Sequence, residues 1–318
     1  MEDMLSLYAE CRLCPNLCRV DRRSRTGICR QSDKVRIAWA GLHRGEEPPI
    51  TGEHGSGMIF FTGCPLHCRY CQNRQISGSD GLNYGIEVST GELASLMLSL
   101  QDIGACTLNL VTGTHFIPSI ILALDEAKGK GFSLPVVWNS SGFERVEALD
   151  LIDPYIDVYL LDCKTLRRNV AEVFCGGAKY VPAVVPVLDY VKEKHPRTDL
   201  DIPEGTILRH LVFPGTLNAT KSFLRVFAKR YKDSFFLSLM TQFVPPLGDL
   251  SFSPLTEEEC DSLLYLMEDL GIDDGFMQDP SEDDVLWIPD FRKDRPFPEG
   301  FSDPDPFFLS LKRRSESL

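Results

Sequence analysis

An apolar run with strand character, Met58-Ile59-Phe60-Phe61, leads into Gly63-Cys64-Pro65-Leu66-His67-Cys68-Arg69-Tyr70-Cys71. The three cysteines of this loop constrain the fold more than any other part of the chain. Their CxxxCxxC spacing supplies three thiolates to one compact site on the loop that leaves the strand. A cubane 4Fe–4S cluster normally takes four thiolates, so three leave one iron open to a substrate or cofactor. Zinc is a competing metal, but structural zinc is closed and four-coordinate. No fourth cysteine is nearby, and His67 lies inside the loop, where its ring does not readily reach the ion held by its neighbour Cys68. Buried free thiols are the remaining alternative, since cysteine often serves as a small core hydrophobe. Clustered cysteines in a reduced compartment mean metal or catalysis, and the loop reads as a cluster site.

Composition bounds the rest. A chain of 318 residues holds one large domain or two ordinary ones, and 43% hydrophobic with 25% charged residues is ordinary for a soluble globular protein. No stretch approaches the length of a membrane span, and the start Met1-Glu2-Asp3-Met4 has no apolar signal core. The expected location is the cytoplasm. Eleven cysteines there are not a disulfide framework, and the odd count agrees. A net charge of −13 argues against unspecific nucleic-acid binding, which needs excess Lys and Arg. The basic group Arg19, Arg22, Arg23 and Arg25 is a local exception, read as a solvated loop face or a docking patch.

Three regions follow: a cysteine-rich head over 1–45, a core over 46–289 and a polar tail over 290–318. The head holds Cys11, Cys14, Cys18 and Cys29, four soft ligands within nineteen residues. A structural zinc and an iron–sulfur cluster both fit such a set, and reduced redox-active thiols are a third reading. Zinc would hold together a segment too short to bury much core; a cluster would relay electrons. The tail is rich in Pro, charge and Ser, and its last ten or so residues are expected to be disordered, although Phe307 and Phe308 are candidates for docking.

In the core, β-branched runs of strand length alternate with amphipathic helical stretches, which predicts an α/β fold with a parallel sheet of βαβ units. The strand candidates are Met58–Phe61, Thr107–Val111, Pro135–Asn139, Val158–Asp162, Ile207–Phe213 and Phe235–Met240. Helices are expected over Thr90–Leu100, Phe116–Ala127, Val146–Leu151, Ala178–Val191, Thr220–Arg230 and Thr256–Leu270, with Thr90 and Thr256 as N-caps. Six units are too few for a closed eight-stranded barrel.

Polar residues gather at the strand ends: Thr112-Gly113-Thr114-His115, Asn139-Ser140-Ser141-Gly142, Asp162-Cys163-Lys164, Arg209-His210-Leu211-Val212-Phe213-Pro214-Gly215 and Met240-Thr241-Gln242. Strand alternation puts Asp162 and Lys164 on one face, where open α/β sheets place ligands; an exposed surface ion pair is the alternative. His115 suits either substrate-side acid–base chemistry or packing. His210 reads as readily as a satisfied core histidine. Cys106, Cys163, Cys175 and Cys260 have no spacing partner and read as core or surface thiols, with Cys175, on the loop after the Asp162–Lys164 strand, a candidate for the barrel mouth.

With the CxxxCxxC loop, Tyr70 before its last cysteine and the head's cysteines, these runs resemble the radical S-adenosylmethionine (SAM) superfamily. Within it they are similar to the PflX-like, pyruvate formate-lyase activating enzyme-like proteins. The resemblance covers most of residues 8–290. It implies an open partial (β/α)6 barrel with a 4Fe–4S cluster on Cys64, Cys68 and Cys71. The amine and carboxylate of SAM chelate the open iron, and one electron cleaves SAM to a 5′-deoxyadenosyl radical that takes hydrogen from a substrate. The activases hold the SAM amine with a Gly-Gly-Glu-Pro-like run; here Thr112, Gly113 and Thr114 stand in its place without the acid, and hydroxyls still offer lone pairs to an ammonium. Asn139 and Ser140 match the start of an Asp-Thr-Asn-Gly run that lines the SAM site and a nearby cation site. Asp162 and Lys164 resemble the family's Asp-Leu-Lys, with Lys164 facing the SAM carboxylate. Arg209 matches a carboxylate-facing arginine, and Gln242 replaces a histidine. The resemblance also implies a flavodoxin- or ferredoxin-like electron donor and a polypeptide substrate such as a glycyl-radical enzyme. A radical SAM enzyme of small metabolites and a non-catalytic metal-binding interaction protein are the alternatives.

Overall fold

The structure is a computed structural model, and it describes residues 4–78, 84–198, 204–244, 255–278 and 288–317. The head opens with a 3₁₀ turn over Met4–Tyr8 and continues as loops. The sheet-forming part begins with β1 (Val35–His43), α1 (Pro48–Thr51), β2 (Ser56–Phe61), α2 (Arg74–Ser77) and β3 (Ile86–Val88). Then come α3 (Thr90–Asp102), β4 (Leu108–Val111), α4 (Ile117–Gly129), β5 (Val136–Ser140), α5 (Val146–Ile152), β6 (Val158–Asp162), α6 (Arg168–Phe174) and α7 (Tyr180–Lys194). The chain continues through β7 (Gly205–Leu211), α8 (Leu217–Arg230), β8 (Phe236–Met240), α9 (Glu257–Asp269), β9 (Gly275–Gln278), β10 (Ser302–Pro304) and α10 (Pro306–Glu316). No helix among the described residues is long and apolar enough to cross a membrane.

The strands form one sheet in the order β10-β1-β2-β4-β5-β6-β7-β8-β9, with β3 also paired to β1. From β2 to β9 every neighbouring pair is parallel. Each link passes through a helix-bearing crossover, as parallel pairing demands. The sheet curves as a partial barrel and does not close, as expected. All six expected strands are present. The parallel set gains a seventh, β9, whose run Gly275-Phe276-Met277-Gln278 has no β-branched residue to mark it.

The barrel interior holds a small apolar layer of Ile50, Val137, Val158, Leu160, Ile207 and Phe236. Ile50 reaches it from α1, so the turn after β1 plugs the barrel floor. The larger core lies between sheet and helices, with Leu96, Leu110, Ile120, Leu161 and Leu224 fully buried.

Three expectations change. The N-cap of α3 is Ser89, not Thr90: Ser89 accepts from the Glu92 amide at 3.2 Å, and Glu92 returns a bond to the Ser89 amide at 2.8 Å. Thr256 does cap α9 in the same reciprocal way. Nor is the chain's end disordered: β10 pairs antiparallel with β1, and α10 is capped by Asp305 and buries Phe308 and Leu311. An i, i+3 apolar pair behind a capping aspartate is enough to dock a short helix on a ready sheet edge. Finally, β1 falls inside the expected head yet pairs with β2 along most of its length.

Candidate active site

The cluster loop hangs from the end of β2, and its neighbours brace it. Arg69 donates its amide to the Phe174 carbonyl at 3.1 Å, and Gly176 passes so close to the Leu66 carbonyl that a Cβ would stand 1.8 Å from it. Only glycine allows that approach. Burial pushes the Cys64 thiol up to about 11, with the charge of Cys71 adding to it. Burial likewise pushes Cys68 well up, opposed by the Lys164 ammonium and helped by Cys175, Cys64 and Cys71. The three thiols thus sit within reach of each other's charge, and burial favours the neutral form of Cys64 and Cys68 until a cation stands beside them. A soft three-thiol set of this kind, with Cys68 buried and Cys64 and Cys71 half-buried, fits a cluster with one open iron. Among the described residues no three His, Cys, Asp or Glu side chains are gathered as ligands of a single metal ion.

Facing the loop, the inward side chains of β5 to β8 line a cavity of 290 Å³. Cys64, Cys68, Cys71 and Tyr70 form its near wall; Thr112, Asn139, Ser140, Asp162, Lys164, Arg209 and Gln242 line the rest. Lys164 Nζ donates to Asp162 Oδ2 at 2.8 Å, and Arg209 Nε to Asp162 Oδ1 at 3.0 Å. Arg209 also donates to Asn139 Oδ1 at 2.6 Å and to Glu46 Oε2 at 3.1 Å. Burial raises the Asp162 carboxyl, but Lys164 and Arg209 outweigh it and hold the group below its usual range. Burial pushes Glu46 and Glu47 up, against the opposing Arg209 guanidinium. Arg209 is therefore pinned on three sides. Lys164 uses one of its three donors on Asp162 and lies 5.5 Å from the Tyr70 ring.

Gly113 and Thr114 are not brought to this cavity. Thr112 takes a left-handed turn at φ 59°, strained for a β-branched residue, and the chain after it runs into the core. A Cβ on Gly113 would meet Ile120 at 2.8 Å, and the Thr114 hydroxyl donates to buried Glu144 at 2.9 Å. Ser140 donates to the same carboxylate oxygen. His115 is buried, bonds the Thr62 carbonyl at 2.8 Å, and is pushed down to about 3 by burial and the Arg22 charge. It packs rather than titrates. His210 is a core histidine between the Cys163 carbonyl at 2.6 Å and Thr220 at 3.1 Å. Cys163 and Cys175 are fully buried and do not line the cavity.

Glu46 and His43 went unread in the sequence. Both come from the end of β1 and the turn after it, and a pair of acids before Pro48-Pro49 carries no signal of which strand it will face. Among the described residues His43 Nε2, Tyr70 Oη and Gln242 Oε1 are buried without a partner, and all three side chains line the cavity. Buried polar atoms are rarely left so, which marks the cavity as a place for a polar ligand.

The head docks directly on the cluster loop. Cys11, Cys14 and Cys29 are buried and Cys18 is half-buried. Burial pushes Cys14 up to about 12, with Cys29, Cys11 and Cys18 adding. Arg22 belongs to no exposed basic face: it is fully buried, donates to the carbonyls of Gln31, Ser32 and His115, and sits 4.8 Å over the Tyr8 ring. Buried charge of this kind is tolerable because several carbonyls and a ring face receive it.

Residues 58–220 match the radical SAM superfamily, and the chain belongs to that superfamily. Membership implies an enzyme with a 4Fe–4S cluster and SAM. An uncharacterized protein of Methanocaldococcus jannaschii is 28% identical over 276 residues, covering 84% of this chain and 77% of its own. Among solved structures, the FeFe-hydrogenase maturase HydG superposes with a TM-score of 0.49 at 15% identity, covering 71% of this chain and 52% of that one. SuiB of Streptococcus suis gives 0.48 at 10% identity, with 69% and 47% covered. The chain spans about half the length of these two structures.

Proposed function

We propose that the protein binds SAM in the cavity between the cluster loop and the ends of β5 to β8 and acts on a polypeptide, in the manner of an activating enzyme. The observation that carries the SAM-binding reading is the placement of Lys164. It is an ammonium with two free donors, held by Asp162 on one side of the cavity and within electrostatic reach of Cys68 on the other.

Cys64, Cys68 and Cys71 would hold the cluster, which with SAM supplies a 5′-deoxyadenosyl radical. Lys164 pairs the SAM carboxylate, and Asp162 keeps Lys164 aimed while holding its charge. Arg209 ties Asp162, Asn139 and Glu46 into a rigid rim and does not itself reach out. The Thr112 backbone offers an acceptor to the ammonium, while the Ser140 hydroxyl is committed to Glu144 and the Gly142 amide and shapes the turn after β5. Gln242 supplies a neutral amide contact. Met58, Phe60 and Phe297 line the wall beside them and exclude water from a reactive species.

The sheet stays open beside the cavity, which gives the loop of a macromolecular substrate a way in and supports the polypeptide reading. Reduction falls to a flavodoxin- or ferredoxin-like donor. Eleven cysteines, an odd number with metal-ligand spacing in two groups, suit a reducing cytoplasm.

Reduced protein and SAM are incubated with host extract split by dialysis. Stimulated 5′-deoxyadenosine release is expected with the retained fraction and lost after protease digestion. Stimulation by the dialysable pool instead would contradict the polypeptide reading and favour a metabolite.

A further inference from the structure

The head and the cluster loop share a local structure. Each contains a Cys-Pro-x-x-Cys stretch, Cys14-Pro15-Asn16-Leu17-Cys18 and Cys64-Pro65-Leu66-His67-Cys68. The residue before the second cysteine is left-handed in both, Leu17 at φ 47° and His67 at φ 53°, a conformation uncommon outside glycine. The amide two residues after the first cysteine bonds its sulfur in both: Leu66 N to Cys64 Sγ at 3.4 Å, and Asn16 N to Cys14. Ile28 N makes a further bond of this kind to Cys18 Sγ at 3.3 Å. Amide donors to sulfur are among the features that tune iron–sulfur sites.

The two loops also touch next to their thiols. Asn16 Nδ2 donates to the Pro65 carbonyl at 2.7 Å. His67 Nε2 donates to the Ile28 carbonyl at 2.7 Å. Ile28 precedes Cys29 and His67 precedes Cys68, so one hydrogen bond and two short backbone segments join a thiol of each set. Gly63 permits the fit, since a Cβ there would stand 2.6 Å from the Cys29 carbonyl.

We propose that Cys11, Cys14, Cys18 and Cys29 hold a second 4Fe–4S cluster, which passes electrons through the Ile28–His67 contact to the cluster on Cys64, Cys68 and Cys71. Four protein thiolates leave no open iron, so the head cluster carries electrons and binds no substrate. The step is a one-electron transfer. A low-potential iron–sulfur or flavin donor protein, or dithionite, is oxidised; the head cluster is reduced and then reoxidised as it reduces the loop cluster. No bond is made or broken. The proposal rests on the reading that the loop cysteines hold a cluster, and the test separates the two.

The full chain is purified anaerobically as wild type, as Cys14→Ala/Cys18→Ala and as Cys64→Ala/Cys68→Ala/Cys71→Ala. Iron, sulfide and zinc are counted, and dithionite-reduced samples are followed by EPR with and without SAM. About eight irons per chain are expected in the wild type and about four in each variant. SAM should alter the spectrum of the head variant and leave that of the loop variant unchanged. Zinc in the head, or about four irons in the wild type that all vanish in the loop variant, overturns the second cluster and leaves the first standing. Iron that remains only in the loop variant, with no response to SAM in the wild type, overturns the first. Metal counts and X-ray absorption on the wild type discriminate zinc from iron without any substitution. His67→Ala keeps all seven thiols and should slow reduction of the SAM-responsive cluster several-fold by freeze-quench EPR at unchanged iron content. An unchanged rate overturns the relay.

Discussion

Lys164 and Arg209 share the two oxygens of Asp162, and the sharing divides their work. Arg209 is committed to three acceptors and makes the rim rigid. Lys164 keeps donors free for a ligand. Arg209→Gln leaves Asp162 and Glu46 short of a cation in a buried place, where breaking a pair costs about 3–5 kcal/mol. A large fall in the unfolding midpoint is expected, together with weakened SAM binding. Lys164→Met leaves Asp162 its arginine, so SAM affinity should fall at least ~10-fold, the effect of losing one charged hydrogen bond, while the midpoint moves less than in Arg209→Gln. Calorimetric binding and thermal melts on both variants decide; equal losses of stability would contradict the division. Asp162 and Lys164 were legible because strand alternation puts them on one face, and Asn139 and Arg209 because they match positions of the family's strand-end runs. Thr114 was read from the family resemblance, and the chain leaves the strand at left-handed Thr112 and carries the Thr114 hydroxyl to buried Glu144. Glu46 was not legible, since a turn has no period from which to read its direction.

Elements were legible in proportion to their length and apolar period. The six expected parallel strands and the helices between them carry repeating apolar faces, and all are present. β3 and β10 have three residues each and β9 is a four-residue run without a β-branched residue, and they form by pairing with a sheet already built. The tail shows how far charge-rich composition misleads: Phe308 at 1% exposure and Leu311 at 3% suffice to seat α10. Phe308→Ala should therefore cost about 3–5 kcal/mol, read by urea unfolding. A change within about 0.5 kcal/mol, as for an undocked surface position, would contradict the seating.

Across the whole molecule, acid should act through three histidines kept neutral by burial. His43 and His210 are pushed down to about 4 and His115 to about 3, against roughly 6.5 in an unfolded chain. Between these values the unfolded chain binds more protons than the folded one. Stability is therefore complete above roughly pH 6.5 and declines as the pH falls toward 4, by up to about 1.4 kcal/mol per pH unit for each histidine. Anaerobic urea unfolding from pH 7.5 to 5 should show this decline, and a flat profile would contradict the neutral assignments. At the same scale, three thiols, a lysine from β6's end and a lumen of unpartnered polar atoms converge on one cavity. The direct test is chemical. Anaerobically reconstituted protein is reduced with dithionite, given SAM, and assayed for 5′-deoxyadenosine by mass spectrometry. Its formation by the wild type, and its loss in Cys64→Ala, is the expected result. No 5′-deoxyadenosine from protein that holds its iron and binds SAM would contradict the assignment as a radical SAM enzyme.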